Sequence, residues 1–245
     1  MSALKNLTSD ASIANEKDSV GGGGVLESGL YPATVTLAYV TKSAGGATGL
    51  VLHAKTSMGR DIRQTLWMTS GTAKGAKNYY EKDGQKNYLP GFIAANALAL
   101  LATGQEISEL DTETKVVNVY SYEAKAEVPT KVDVPVDLMG KEIIIGLIKQ
   151  TVDKTAKNET TGAYEPTGET RDENEIDKFF RASDKMTTAE IRAAANDPVF
   201  YTTWDNKHSG VVRIKASKAT GTAGAPRGAF GGGSAMKKPA TSLFA

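Results

Sequence analysis

The sequence predicts a mainly β chain: a small five-stranded barrel with one helix between its third and fourth strands, a hairpin insertion, and disordered arms at both ends. Three observations predict it. Short runs of β-branched and aromatic residues alternate with small or polar ones and are separated by Gly-containing turns. One stretch of helical spacing, Pro90–Thr103, is bracketed by a proline at its start and Gly104 at its end. Residues 1–24 form a polar arm with a Gly linker, and residues 206–245 are rich in Gly, Ala, Ser and Lys. The 245 residues are 40% hydrophobic, enough for one core with tails, and include no cysteine. Disulfides, thiolate metal sites and cysteine nucleophiles are therefore excluded.

In order, residues 30–42 (LYPATVTLAYVTK) read as the first strand, 43–48 as a turn, 49–56 as the second strand, and 58–60 as the next turn. Residues 61–69 (DIRQTLWMT) are the third, with Ile62, Leu66 and Met68 apolar and Arg63 and Trp67 among the rest. Residues 70–87 have little periodicity and are expected to be a long functional or mobile loop. After the helix, 115–122 is the expected fourth strand. Residues 127–138 are an extended edge segment holding two prolines, and 141–152 (KEIIIGLIKQTV) is the fifth and most apolar strand. Residues 153–181 are expected to decorate the barrel as a hairpin with its tip at 158–168, and 187–195 to be a short helix capped by Thr187 or Thr188 and stopped by Asp197-Pro198. No packed structure is expected from Ser209 onward. Three strands, a helix and two strands is the element order of an OB-fold. The resulting division is a flexible arm (1–24), a binding domain (25–205) and a basic tail (206–245).

The net charge of +1 conceals an uneven distribution. Residues 1–150 hold 15 basic and 16 acidic groups, residues 151–205 hold 7 and 12, and residues 206–245 hold 7 and none. A basic tail on a near-neutral body favours a polyanionic or acidic partner, against the plainer reading of a solvated terminus. Residues 1–20 lack an apolar signal core, and the longest apolar run, 94–102, is about half of a membrane span, so a soluble intracellular protein is expected.

Enzymatic chemistry finds little support. The chain has two histidines, His53 and His208, and neither lies beside a nucleophile elbow. The run 71–77 (GTAKGAK) lacks the spacing and the terminal Ser or Thr of a phosphate loop. Asp172, Glu173, Glu175 and Asp177 could hold metal ions for nuclease chemistry, but a solvated acidic strand explains them more simply. No enzyme, cofactor or metal is expected.

The positive signal lies between residues 60 and 92. Arg60, Arg63, Lys74, Lys77, Lys82 and Lys86 are interleaved with Trp67, Tyr79, Tyr80, Tyr88 and Phe92. A groove for single-stranded nucleic acid needs cations for the backbone and aromatic plates for the bases. Trp67 and Phe92 also read as core residues. Tyr79 and Tyr80, in a Lys-rich loop, do not.

At these residues the chain resembles the single-stranded-DNA-binding proteins of short-tailed phages that carry a giant RNA polymerase in the virion. The resemblance is carried by Leu26-Glu27-Ser28, Tyr31 to Val35 (YPATV), 65–67 (TLW), 70–75 (SGTAKG), 80–82 (YEK) and 88–92 (YLPGF). It continues through 123–133 (EAKAEVPTKVD), 149–154 (KQTVDK) and the closing Lys237-Lys238-Pro239 and 241–244 (TSLF), in order over nearly the whole chain. It implies sequence-independent binding of single-stranded DNA in phage DNA replication and recombination, within the host cytoplasm. It also implies activation of late transcription through host RNA polymerase, and contact with phage replication proteins. The tail is basic, unlike the acidic tails of bacterial single-strand binders. Lys237, Lys238, Leu243 and Phe244 are the candidate partner-binding residues, because two apolar side chains beside two cations could anchor to an acidic surface. The alternatives are a metal-dependent nuclease and an RNA-binding or structural phage protein.

Overall fold

The computed structural model describes residues 24–121 and 124–217. Residues 1–23 of the expected arm (1–24), the tail beyond 217 and the candidate partner residues Lys237, Lys238, Leu243 and Phe244 lie outside the described residues.

Three strands lead the chain as expected: β1 (Gly29–Lys42), β2 (Thr48–Thr56) and β3 (Asp61–Trp67). They form an antiparallel meander whose turn glycines Gly46 and Gly59 have positive φ. A register shift between Val35 and Leu37 bends β1. It turns Val35 and Ala38 to one side of the sheet and Leu37 and Tyr39 to the other.

The stretch 70–87 is not a featureless loop. After a 3-10 turn at Thr72–Lys74 it forms a hairpin, β4 (Tyr79–Lys82) and β5 (Gln85–Tyr88). Asp83 and Gly84 make its turn with φ of 53° and 75°, the double positive-φ geometry that Asp-Gly favours. Helix α1 (Pro90–Thr103) has the expected bounds. Leu89 enters it extended, and Gly104, at φ 84°, closes it by donating its N–H to the Leu100 carbonyl.

The second half departs from expectation. β6 (Thr112–Ser121) and β7 (Ala126–Pro135) pair only with each other, so 115–122 is not a strand of the main sheet. Val117, Val119, Val128, Val132 and Val134 share one face, while Val116 on the other is exposed, so the hairpin can cover one layer but not sit between two. β8 (Glu142–Lys157) pairs with β1 and with β9 (Tyr164–Arg181). The segment expected as a decoration is therefore the last long strand of the sheet, and the inserted hairpin is β6–β7.

Ile143, Ile145 and Leu147 of β8 enter the main core with Leu50, Leu52, Leu66 and the α1 residues Leu98 and Leu101. Ile144 and Ile148 point the other way, onto Phe180 and Trp204. Burial on both faces accounts for the unbroken apolar run of β8. Two short helices follow, α2 (Thr188–Arg192), capped by Thr187, and α3 (Val199–His208), which carries Trp204. Asp197-Pro198 lies beyond the end of α2, as expected, and leads into α3, which the sequence reading did not include.

Residues 209–217, expected to be unpacked, stay on the body. β10 (Arg213–Ile214) pairs in parallel with Gln150 and Thr151, and Arg213 reaches Glu175 and Asp177. The result is a mainly β structure of antiparallel sheets. The path runs β10-β8-β1-β2-β3, with β9 on the other edge of β8. No ladder joins β3 to β9 among the described residues, so the expected barrel is not closed. One side-chain bond spans the gap: the Ile176 N–H donates to Gln64 Oε1 at 2.7 Å. No helix among the described residues is long and apolar enough to cross a membrane.

Candidate nucleic-acid interface

The strand period sets the first part of the site. Ile62 and Leu66 of β3 go to the core, so Arg63, Thr65 and Trp67 project from the outer face. Their partners on β2 are His53, Val51 and Gly49. The β6–β7 hairpin covers Tyr39 and Val51, leaving the β3 side of this face uncovered. Trp67 is 43% exposed and is not a core residue. A Cβ at Gly49 would lie 2.8 Å from its indole, so the missing side chain makes room for the ring to lie across β2. The next chain layer is fixed as tightly: a Cβ at Gly91 would fall 2.1 Å from the Trp67 carbonyl oxygen. The start of α1, and with it the root of the β4–β5 hairpin, therefore abuts the end of β3.

Arg63 leans toward Tyr39, with 3.5 Å between Nη2 and the phenol oxygen. His53 lies under both, its ring 6.1 Å from that of Tyr39. Burial lowers the His53 pKa and the Arg63 charge adds to this, while Glu127 and Asp61 oppose it. The imidazole is neutral at pH 7, and its buried Nε2 has no hydrogen-bond partner among the described residues. Arg60 does not belong to this face. It sits in the β2–β3 turn, where its guanidinium donates to the Gly24 carbonyl.

The hairpin supplies the second part. Tyr79 stands opposite Tyr88, and Glu81 opposite Lys86. Lys77 Nζ lies 5.4 Å and Lys86 Nζ 5.0 Å from the centroid of the Tyr79 ring. The two adjacent tyrosines do not work side by side. Period two sends Tyr80 and Lys82 to the opposite face of the hairpin. A small depression of about 380 Å³ is bounded by Asn78, Tyr79, Lys86 and Tyr88. A larger cleft of about 640 Å³ takes Tyr80 instead and shares Lys86 and Tyr88 with the small one. Tyr88 is 57% exposed and packs against Phe92 at 4.9 Å. Phe92 is half-buried. Lys74 and Lys82 are exposed. Lys74 ends the 3-10 turn, which is docked on the β1–β2 loop by Thr72 N–H donating to the Gly45 carbonyl at 2.9 Å.

The acidic strand is committed elsewhere. Glu175 pairs with Arg213 and Lys215, Glu173 with Arg171, and Asp177 with Arg213. No group of three or more His, Cys, Asp or Glu among the described residues could hold a metal ion. The far wall of the large cleft was not foreseeable: Phe200 and Lys178 lie 120 and 98 residues from Tyr80 in sequence. The hairpin itself was, since Asp83-Gly84 is a strong local turn signal. No known protein-family model matches this chain, and no curated protein matches it significantly.

Proposed function

We propose that this protein binds single-stranded DNA without strong sequence preference, along the uncovered outer face of β3 and over the β4–β5 hairpin. One observation carries the reading: Tyr79 is flanked by two lysine ammonium groups on a hairpin that adds nothing to the core. An aromatic plate with cations at its rim meets the two things an unpaired strand exposes, base faces and phosphates. Duplex DNA hides its base faces, so stacking selects for single strands. Exposed Trp67 and Arg63 extend the same chemistry onto β3.

The strand order around β1 supports the OB-like part of this reading. Its first strand is flanked by β2 and by β8, the first strand of the main sheet to follow α1 once the β6–β7 hairpin is passed, and β9 adds to β8 in turn. Domains of this kind bind oligonucleotides on the face of their second and third strands. The resemblance in the sequence supplies the setting, phage replication and recombination, with late transcription as a further role.

Titration with oligo(dT), a duplex of equal length and oligo(U) at two salt concentrations tests the proposal. Tight, salt-weakened binding of oligo(dT) and weak duplex binding are expected. Equal affinity for duplex and single strand would overturn it, and a preference for oligo(U) would favour an RNA-binding protein.

A further inference from the structure

The larger cleft lies on the far side of the hairpin from Tyr79, between α1, the α2 start and α3. Its walls carry Tyr80, Tyr88 and Phe200, exposed by 46%, 57% and 38%, and its floor includes Ala94, Ala97 and Phe179. Ala94 and Ala97, small residues between aromatic walls, leave room for a flat ring. A volume of about 640 Å³ is of the size that takes a small organic ligand. The charges are one-sided. Lys86 and Lys178 line the cleft, and Lys178 Nζ stands 5.8 Å from the Phe200 ring. The single acidic side chain lining it, Asp177, is matched by Arg213 at 3.0 Å. Asn87 and Thr188 add neutral donors and acceptors.

We infer that this cleft is a second nucleotide subsite, which takes an unstacked nucleobase between Tyr80 and Phe200 while Lys86 and Lys178 hold the flanking phosphates. The inference rests on the single-strand reading above and gives it a path. Lys86 and Tyr88 bound both depressions, so a strand stacked on Tyr79 crosses the hairpin at Tyr88 and drops its next base into the cleft. The interface then leaves the β3 face and turns toward α3. Each base held on an aromatic ring adds a sequence-tolerant contact. An unpaired strand offers that base with little unstacking cost, whereas a duplex would have to be opened.

The test uses the full chain, dT oligomers of increasing length, and a dT oligomer carrying one 2-aminopurine. The parent is expected to change 2-aminopurine emission on binding. Phe200→Ala and Lys178→Glu should each lower affinity by roughly 5- to 10-fold and shorten the shortest saturating oligomer. Lys178 is exposed and makes no ion pair among the described residues, so the second variant probes the cleft without disturbing the core. If the parent fails to bind dT oligomers, the single-strand reading itself falls. If the parent binds and Tyr79→Ala weakens it, while both cleft variants keep parental affinity and length dependence, the second subsite alone is overturned.

Discussion

Tyr79 is held upright by backbone pairing to Tyr88 and flanked by Lys77 and Lys86, while its neighbour Tyr80 faces the other way. Two predictions follow from that geometry at the level of single side chains. Tyr79→Ala should weaken binding to oligo(dT) by about 1–3 kcal/mol, the worth of one base–aromatic stack. The hairpin contributes nothing to the core, so the thermal midpoint should stay at the parental value. Lys77→Ala and Lys86→Ala should each reduce the slope of log affinity against log salt by about 0.7, one phosphate contact apiece on a single strand. Titrations at several salt concentrations read this directly, and an unchanged slope in both would remove the two lysines from the interface. Arg60 gives a control: it is tied to the Gly24 carbonyl at the far end of β3, so Arg60→Ala should leave the slope alone.

The elements differ in how far local sequence determined them. Helix α1 was legible because its boundaries are local devices, Pro90 at the first turn and Gly104 at the left-handed cap. The β4–β5 hairpin was legible in principle from Asp83-Gly84, but its Gly- and Lys-rich flanks carry no apolar alternation to mark strands. Nothing local distinguishes 115–122, a hairpin strand, from a strand of the sheet. That depends on which face its valines cover. The short helix α2 was legible through Thr187, whose hydroxyl accepts the Glu190 N–H while Glu190 accepts the Thr187 N–H. What the sequence did not reveal is that Glu190 also accepts the N–H of Phe200 at 2.7 Å, joining the starts of α2 and α3. Thr187→Ala should therefore cost about 1 kcal/mol of stability through the lost cap. Loosening Glu190 should also free Phe200, so this variant should bind oligo(dT) more weakly than its small stability loss explains. Denaturant unfolding and oligo(dT) titration of the same sample separate the two effects.

At the scale of the whole molecule, the charge pattern read along the chain separated an acidic segment from a basic one, and the fold brings part of them together. Arg213 and Lys215 fold back onto Glu175 and Asp177, pairing β10 with β8 and bringing residues 213–215 onto the sheet. Such long-range pairing leaves no local signature, which is why residues 209–217 read as tail. It does leave a thermodynamic one. Burial alone would raise the Asp177 pKa, but the hydrogen bonds from Trp204 and Arg213 and the charges of Arg213 and His208 outweigh it and hold it below the usual carboxylate value. Burial likewise works against ionised Glu190, and the bonds from Phe200 and Thr187 outweigh it. A group whose pKa is lower folded than unfolded stabilises the fold above its unfolded pKa, about 4 for Asp and Glu, and loses that contribution as pH falls through the folded value. The parent should therefore keep its thermal midpoint from neutral pH down to about 5 and lose it steeply below about 4. Asp177→Asn keeps an acceptor for the Trp204 N–H but no charge for Arg213. It should be less stable than the parent at pH 7, and the gap should narrow as acid protonates Asp177 in the parent. Thermal melts of both proteins across pH 2 to 7 decide the matter. Parallel curves would show that the junction between β9, α3 and β10 is held by packing of Trp204 rather than by its ion pairs.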